Sequence, residues 1–319
     1  MTFLHNLVYR HYFLVTLRGH IGYFLRYLHF KFTNRLISIL PNRNVPRKYY
    51  LSACVRIKNE ARFMPEFLAY YKSLGFEHVY IYDNNSTDEI SQILKPFIDE
   101  AFVSIVDWPR VPAYPSCYID FFSTKACESK WVAFVDADEF IVEKKQGELL
   151  SLLKSTRASS IGINWRMYGS SGHEKLPSGL VIENFLMTDE KYNAHVKVVV
   201  DPAKVTGLWN SHNFFYKHLR YSVSATGQVF WGTFVRPSKN AVVWINHYVY
   251  RSKEDSLRKA TQGYVDPQGY IQKARTLETI NQEFDNHNEV EKAMTPEKLC
   301  EVKNIMIAMG YSSPYVCTD

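Results

Sequence analysis

Three carboxylates lie within four positions of one another at the end of an apolar run. Asp136, Asp138 and Glu139 follow residues 131–135, whose sequence Trp-Val-Ala-Phe-Val carries no charge. Such a run predicts a strand buried on both faces, as in parallel sheets. Ending a buried strand in acids is costly unless the charges reach the sheet edge or bind a cation. Two carboxylates spaced two apart suit a hard divalent ion, so we expect Mg²⁺ or Mn²⁺ at Asp136 and Asp138.

These acids also have a plainer interpretation, in which a solvated strand end pairs its charges with Lys144 and Lys145. An isolated Asp-x-Asp sequence would favour that view. The choice depends on whether other polar residues converge on the same place, and therefore on the elements that position them.

The chain before the acidic cluster alternates between strand and helix patterns. We predict strands at residues 49–57, 78–82 and 102–106, and helices at residues 61–74, 86–97 and 117–129. Ser86 and Glu89 have the spacing of a capping box for the second helix. Repeated strand–helix units predict an α/β fold with a doubly wound, mostly parallel sheet flanked by helices. Three strand ends then bring polar residues to one crevice, which favours the metal interpretation: Asn59-Glu60, Asp83-Asn84-Asn85 and Asp136-Ala137-Asp138.

The second half of the chain is less regular. Its patterns predict a helix at residues 146–154, strands at residues 161–167, 195–200 and 241–245, and a flexible loop at residues 169–173. Beyond residue 252 the chain is charged and helical. We divide the chain into a basic, aromatic segment (residues 1–48), a main domain (residues 49–265) and a C-terminal helical extension (residues 266–319).

The positive charge belongs to the first segment. The net charge is +6, and eight of the 38 Lys and Arg lie in residues 1–48, which contain no Asp or Glu. These charges interrupt every apolar stretch, so neither a membrane span nor a cleavable signal is predicted. Peripheral contact with anionic lipid and a basic arm that packs on the domain or on a partner both remain open. Nucleic-acid binding is not expected, because no recognition motif accompanies the charge.

Five cysteines without a C-x-x-C pair favour a reducing compartment. We therefore expect a cytoplasmic location. If the basic segment binds lipid, the protein would lie at the inner face of the membrane.

Several blocks of the sequence together resemble a known family. Residues 55–60, 80–88 and 134–140 read Val-Arg-Ile-Lys-Asn-Glu, Tyr-Ile-Tyr-Asp-Asn-Asn-Ser-Thr-Asp and Phe-Val-Asp-Ala-Asp-Glu-Phe. They are similar to family 2-like glycosyltransferases with the GT-A fold, and in particular to glycosyltransferase family 92. Further matches lie at residues 164–172, 195–197, 246–248 and 251–252. The resemblance extends over residues 50–265 and implies a GT-A-type sheet followed by a less regular half that binds the acceptor.

The resemblance also implies roles for the matched polar residues. Asp83 would hold the uridine of a nucleotide donor, whereas Asp136 and Asp138 would bind a metal that bridges the diphosphate and stabilises the leaving nucleotide. Lys197 lies in an apolar run where burial without a partner would be costly, so it would meet a phosphate or a carboxylate; a surface lysine is the alternative. The donor-binding set comprises six residues: Arg56, Asn59, Glu60, Asp83, Asp136 and Lys197.

Two further roles have more than one candidate. Enzymes of this type often add a histidine from the C-terminal half as a metal ligand, and His212 is our first choice and His247 our second. A structural histidine is the alternative for each. Inverting transfer also needs a general base for the acceptor hydroxyl, and Glu183 and Glu174 are the candidates.

These inferences together predict a metal-dependent glycosyltransferase. It would move a sugar from a UDP-linked donor to a glycan or lipid-linked acceptor in surface polysaccharide biosynthesis. The resemblance alone implies a hexose and inversion at the anomeric carbon, and transfer with retention stays open. A nucleotidyltransferase is one alternative, and the absence of glycine between Arg56 and Arg62 disfavours it. A noncatalytic glycan-binding or scaffold protein on the same fold is another, and the retained Asp136 and Asp138 disfavour it.

Overall fold

The computed structural model describes residues 37–261 and 276–311, together with residues 25, 28 and 29. Most of the predicted basic segment, and with it the predicted lipid contact, lies outside these residues. No helix in the described part of the chain is long and apolar enough to cross a membrane.

The described residues form eight α-helices and fifteen strands, most of them short. The helices are α1 (Met64–Ser73), α2 (Ile90–Asp99), α3 (Ser116–Thr124), α4 (Glu148–Ser155), α5 (Val181–Asn184), α6 (Lys253–Thr261), α7 (Leu277–Glu283) and α8 (Pro296–Ala308). The strands are β1 (Ile37–Ser38), β2 (Tyr49–Ile57), β3 (His78–Asp83), β4 (Val103–Asp107), β5 (Ser129–Phe134), β6 (Glu139–Glu143), β7 (Ser160–Met167), β8 (Met187–Thr188), β9 (Val196–Val200), β10 (Val205–Asn210), β11 (Asn213–Tyr216), β12 (Ser222–Ser224), β13 (Val229–Phe230), β14 (Val243–His247) and β15 (Val290–Glu291).

A ten-stranded sheet organises the molecule. Its main path is β13-β12-β7-β9-β5-β2-β3-β4, and β14 joins β7 to β6 beside that path. Strands β2, β3, β4 and β5 are parallel, and helices α1, α2 and α3 occur in the connections between them. The predicted α/β class with a mostly parallel sheet is confirmed. The predicted strands all lie within two residues of the observed ones.

Strand β9 departs from the parallel order. It runs antiparallel to both of its neighbours, β5 and β7. Its amino end therefore lies at the same sheet edge as the carboxyl ends of β2, β3, β5 and β7. This reversal brings Lys197, the second residue of β9, to the edge where open α/β sheets bind their ligands.

Apolar side chains cover the sheet on both faces. One cluster joins the sheet to helices α1, α2 and α8, with Phe67, Leu94 and Val302 fully buried. A second cluster joins it to helix α3 and strand β11 through Phe121 and Phe214. The sheet is thus a rigid support for the loops at its edge, and helix α8 of the predicted C-terminal extension packs into the same core.

Residues at the end of the predicted basic segment pack on the domain. Strand β1 pairs with β10, and Ile39 after it is 2% exposed. The four cysteines in the described part of the chain form no disulfide; they are Cys54, Cys117, Cys127 and Cys300.

The predicted capping box is wrong. Helix α2 begins at Ile90, and Glu89 at its amino end makes no side-chain capping hydrogen bond. Ser86 does not cap the helix because its hydroxyl donates to the carboxylate of Asp83 and accepts from the backbone N–H of Asn59. The serine joins two strand ends, a contact that local spacing does not reveal.

Candidate active site

Hydrogen bonds join the polar residues at the ends of β2 and β3. The sequence predicted that these two strand ends lie at the same edge of the sheet. The backbone N–H of Asn59 donates to Ser86 Oγ at 2.9 Å, and Asn59 Oδ1 accepts from the backbone N–H of Thr87 at 2.7 Å. Asn59 has a positive φ of 54°, a conformation that asparagine tolerates better than most residues. The carboxylate of Asp83, at the end of β3, accepts a hydrogen bond from the Ser86 hydroxyl. Asn59 and Asp83 therefore lie at one corner of the crevice.

Asp136 follows strand β5 and pairs with Lys197. Lys197 Nζ lies 2.6 Å from Asp136 Oδ2, and the lysine side chain is 1% exposed. Partial burial of Asp136 opposes its ionisation, but Lys197 and Arg56 hold the pKa of this carboxyl below its usual range. The interpretation of Lys197 as a surface lysine is wrong, because its strand is central in the sheet and its ammonium turns toward the carboxylate.

The carboxylate of Asp138 contacts two side chains from the last third of the chain, a lysine and a histidine. Lys259 Nζ on helix α6 lies 2.8 Å from its Oδ2, and His247 Nε2 lies 3.6 Å from its Oδ1. Burial alone would raise the pKa of Asp138, but Lys259 and His247 hold it well below the usual range. Asp136 and Asp138 are thus paired with Lys197 and Lys259. The alternative in which Lys144 and Lys145 neutralise them is wrong.

Glu139, the third carboxylate, is buried beneath the two aspartates' turn and is not open to solvent. Its side chain is fully buried, and its Oε2 accepts a hydrogen bond from the backbone N–H of Asp136 at 3.0 Å. Burial raises the pKa of Glu139 well above the usual range, although Lys197 Nζ is 3.8 Å away. This side chain holds the turn between β5 and β6 and so fixes the directions of the two aspartates.

Three histidines surround the indole of Trp165, near the aspartates. The rings of His195, His212 and His247 lie 5.1, 5.3 and 4.4 Å from it. His212 Nδ1 is 3.0 Å from the carbonyl oxygen of Val196, and a carbonyl only accepts, so Nδ1 carries the proton. Burial and nearby Lys197 lower the pKa of His212 to about 3. Its imidazole is therefore neutral at pH 7, with the Nε2 lone pair available to a metal.

The side chains of Asp136, Asp138 and His212 have the chemistry of ligands for a divalent ion. Asp136 and Asp138 are both ionised, and His212 is in the tautomer and charge state that a ligand needs. Within the described part of the chain, no group of three or more His, Cys, Asp or Glu side chains is placed to hold a metal ion without further ligands. Two carboxylates are nevertheless enough for Mg²⁺ or Mn²⁺ when substrate phosphates supply further oxygens. His247 is the second histidine candidate, and its buried Nδ1 has no hydrogen-bond partner among the described residues.

Glu60 is committed to an internal ion network. Its carboxylate accepts from Arg251 Nη2 at 3.0 Å, and Arg251, 1% exposed, also donates to Asp255 at 2.9 Å. Arg258 donates to Asp255 at 2.8 Å and to the backbone carbonyl of Asn59 at 2.6 Å. The network joins the end of β2 to helix α6. Glu60 thus helps to hold the end of β2, and with it the corner formed by Asn59 and Asp83, in place.

The two general-base candidates are both paired with lysines. Glu183 on helix α5 accepts from Lys303 of helix α8 at 2.8 Å, and its Oε2 has no hydrogen-bond partner among the described residues. Glu174 is 65% exposed and lies 3.3 Å from Lys253 Nζ at the start of helix α6. Neither carboxylate contacts Asp136 or Asp138 in this arrangement, so both assignments stay predictions.

Sequence reasoning missed Lys259. A signal was present, because Asp255 and Lys259 are four residues apart in a charged, helical stretch and such spacing places side chains on one helix face. The spacing does not reveal which carboxylates that face meets. The tertiary structure supplies that information by docking helix α6 against the ends of β2 and β5.

Several solved structures have a distant likeness to this chain. S. aureus TarS (residues 1–349) matches with 15% identity and a TM-score of 0.38, covering 81% of this chain and 72% of that one. The mannosyltransferase PcManGT from Pyrobaculum calidifontis, in complex with GDP-Man and Mn²⁺, matches with 12% identity and a TM-score of 0.33, covering 91% and 84%. Overlaps of this size carry no inference about the ligands of this chain.

Sequence comparison gives a firmer result. Glycosyltransferase family 92 proteins of Ricinus communis and of Oryza sativa subsp. japonica are each 26% identical to this chain, over 236 and 220 residues. The matches cover 71% and 66% of this chain but only 41% and 35% of those proteins, so the chain spans less than half of the length of these relatives. The model of glycosyltransferase family 92 matches residues 49–308, which is most of the sequence. The chain belongs to glycosyltransferase family 92.

Proposed function

We propose that this protein is a metal-dependent glycosyltransferase whose reaction centre lies at Asp136 and Asp138. One observation carries the proposal: two ionised carboxylates follow a buried parallel strand at the sheet edge where α/β proteins bind ligands, and each is balanced by a lysine. Such a pair suits a divalent ion that is shared with a diphosphate. Membership of family 92 supports the same reaction class.

The proposed metal ligands are Asp136, Asp138 and His212. When bound, Mn²⁺ or Mg²⁺ would act as a Lewis acid that stabilises charge on the departing nucleotide. Lys197 holds the Asp136 carboxylate in place, and buried Glu139 fixes the turn that carries both aspartates. These contacts keep the two carboxylates in one geometry before any ligand arrives, which avoids an ordering cost during binding.

The donor would lie along the ends of β2 and β3. Asp83 is the proposed contact for uridine, and Asn59 holds the adjoining loop through Thr87. Arg56 is close enough to lower the pKa of Asp136 and would meet the donor phosphates. We therefore propose a UDP-linked donor. A hexose as the transferred sugar is proposed from the resemblance to family 92 alone.

Transfer with inversion requires a carboxylate that removes the acceptor proton. Glu183 and Glu174 remain the proposed candidates, and each would have to exchange its lysine partner for the acceptor hydroxyl. Glu174 is the more accessible of the two, since 65% of its side chain is exposed.

The proposed acceptor is a glycan or a lipid-linked saccharide in surface polysaccharide biosynthesis. The basic segment at residues 1–48 supports a peripheral contact with an anionic membrane, and the cytoplasmic face of that membrane is the proposed location.

A thermal-unfolding experiment tests the proposed function. The full chain is heated with UDP, GDP, ADP, CDP or the corresponding nucleoside triphosphates, each with and without Mn²⁺. A ligand that binds the native state raises the midpoint by mass action, and at about 100 times its Kd it adds about 2.7 kcal/mol. We expect a rise with UDP that needs Mn²⁺ and that Asp138→Asn abolishes.

Asp99→Asn is the matched control, because Asp99 also pairs with a lysine, Lys95, but lies on the exposed side of helix α2. It should leave the UDP response intact. Folded protein that responds to no nucleoside diphosphate would refute the proposal and favour a noncatalytic glycan-binding protein. A response to nucleoside triphosphates alone would favour a nucleotidyltransferase.

A further inference from the structure

The two lysines at the carboxylate pair differ in their freedom to move. Lys197 lies on central strand β9, is 1% exposed and is within 4 Å of both Asp136 and Glu139. Lys259 is 27% exposed and contacts Asp138 at 2.8 Å from the side of helix α6. Lys197 is therefore held in place, whereas the flexible four-carbon stem of Lys259 has solvent beside it.

The two closest ion pairs of these aspartates are neutral without a metal. Asp136 and Asp138 supply two negative charges, and Lys197 and Lys259 supply two positive ones. A divalent ion at the same carboxylates would leave an excess positive charge, and it would compete with Lys259 for Asp138 Oδ2. A nucleoside diphosphate carries at least two negative charges and would restore the balance. The metal and the diphosphate should therefore bind together better than the metal binds alone.

Helix α6 keeps Lys259 close to the donor corner. Asp255, one turn before Lys259, is held by Arg251 and Arg258, and Arg258 also donates to the backbone carbonyl of Asn59 at 2.6 Å. The helix is thus anchored to the strand end that carries the proposed donor residues. A lysine that leaves Asp138 then remains beside the place where the diphosphate would lie.

We propose that Lys259 exchanges partners during donor binding. In the metal-free protein its ammonium neutralises Asp138; when the divalent ion takes that carboxylate, the ammonium moves to the donor diphosphate. The inference rests on the proposed function, and it assigns to Lys259 a donor-binding role that the sequence did not predict. It also makes the binding of metal and nucleotide interdependent.

The test measures two affinities in the full chain and needs no activity. Mn²⁺ alone is titrated by loss of the free-ion EPR signal, and UDP is titrated by calorimetry at saturating Mn²⁺. In Lys259→Ala we expect Mn²⁺ alone to bind about three- to tenfold tighter, because its competitor is gone, and UDP to bind about tenfold more weakly. Lys259→Arg retains the charge and should keep most of the UDP affinity.

Lys95→Ala is the matched control, because it also removes a lysine that pairs with an aspartate, here Asp99 on helix α2. It should change neither affinity. Equal unfolding midpoints of the variants without ligand would show that they fold alike. Two results would overturn the exchange of partners by Lys259 but leave the proposed function intact. One is that Lys259→Ala changes neither affinity. The other is that it weakens UDP binding without tightening Mn²⁺ binding. A wild-type chain that binds no UDP with Mn²⁺ would overturn both.

Discussion

A neutral histidine, His212, near Lys197 and Asp136 is the feature that matters most at the scale of single residues. The pKa of His212 is lowered to about 3, so above pH 5 a metal ion meets no competing proton on this ring. We expect His212→Gln to weaken Mn²⁺-dependent UDP binding about 10- to 100-fold. Calorimetry at pH 6 and pH 8 measures this, and the histidine's contribution should be the same at both values.

His195→Gln is the control for that experiment. His195 stacks on Trp165 and lies 6.0 Å from the His212 ring, but its Nδ1 is occupied by Asn193 Oδ1. If the two variants weakened binding equally, a general effect on the cluster would replace ligation by His212 as the explanation.

Glu66 links two helices at the scale of secondary structure. This residue of helix α1 is 3% exposed, and its carboxylate accepts from the backbone N–H groups of Val181 and Ile182 at 2.7 and 2.9 Å. It thereby provides hydrogen-bond acceptors for the free backbone N–H groups at the amino end of helix α5, the helix that carries Glu183. Burial raises the pKa of Glu66 from 4.5 to about 7, although the two hydrogen bonds and Arg251 oppose the rise.

That raised pKa predicts a pH-dependent stability. Between pH 4.5 and pH 7 the native state retains a proton that the unfolded state has lost, so the free energy of unfolding falls as the pH rises through this window. The fall from this group is roughly 3 kcal/mol and levels off above pH 7. Urea unfolding at several pH values measures it, and Glu66→Gln should flatten the profile by that amount. Parallel profiles would contradict the prediction, and exposed Glu190→Gln is the control.

At the scale of the whole molecule, a buried arginine joins the two ends of the main domain. Arg251 stacks on Phe63 at 3.5 Å and pairs with Glu60 and Asp255, which lie far apart in the sequence. Arg251→Met would leave two nearly buried carboxylates without their main partner. We expect a loss of about 3–5 kcal/mol in the free energy of unfolding, measured in urea.

The control for the arginine is Arg62→Met, which removes an exposed side chain that donates to the carbonyl of Pro177. It should cost less than about 1 kcal/mol. A similarly small loss for Arg251→Met would mean that solvent or other basic residues neutralise Glu60 and Asp255, and that helix α6 is not anchored through Arg251.

Much of the fold was predictable because its signals are local. Short apolar runs mark the strands, and helical spacing between them requires parallel crossovers, so the ends of β2, β3 and β5 had to meet at one edge. This is why Asn59, Asp83 and Asp136 could be placed together from the sequence. The capping box failed because Ser86 has a better partner across the crevice than along its own helix.

The sequence alone therefore determined the family, the parallel part of the sheet and the position of Asp136 and Asp138 at the end of a buried strand. Only the tertiary structure decided which cations balance that pair, because Lys197 and Lys259 lie 61 and 121 residues away from their aspartates. Only the tertiary structure likewise showed that Glu139 is buried and that β9 runs antiparallel to its neighbours. Contacts between residues this distant depend on how whole elements pack, and no pattern within a single element encodes them.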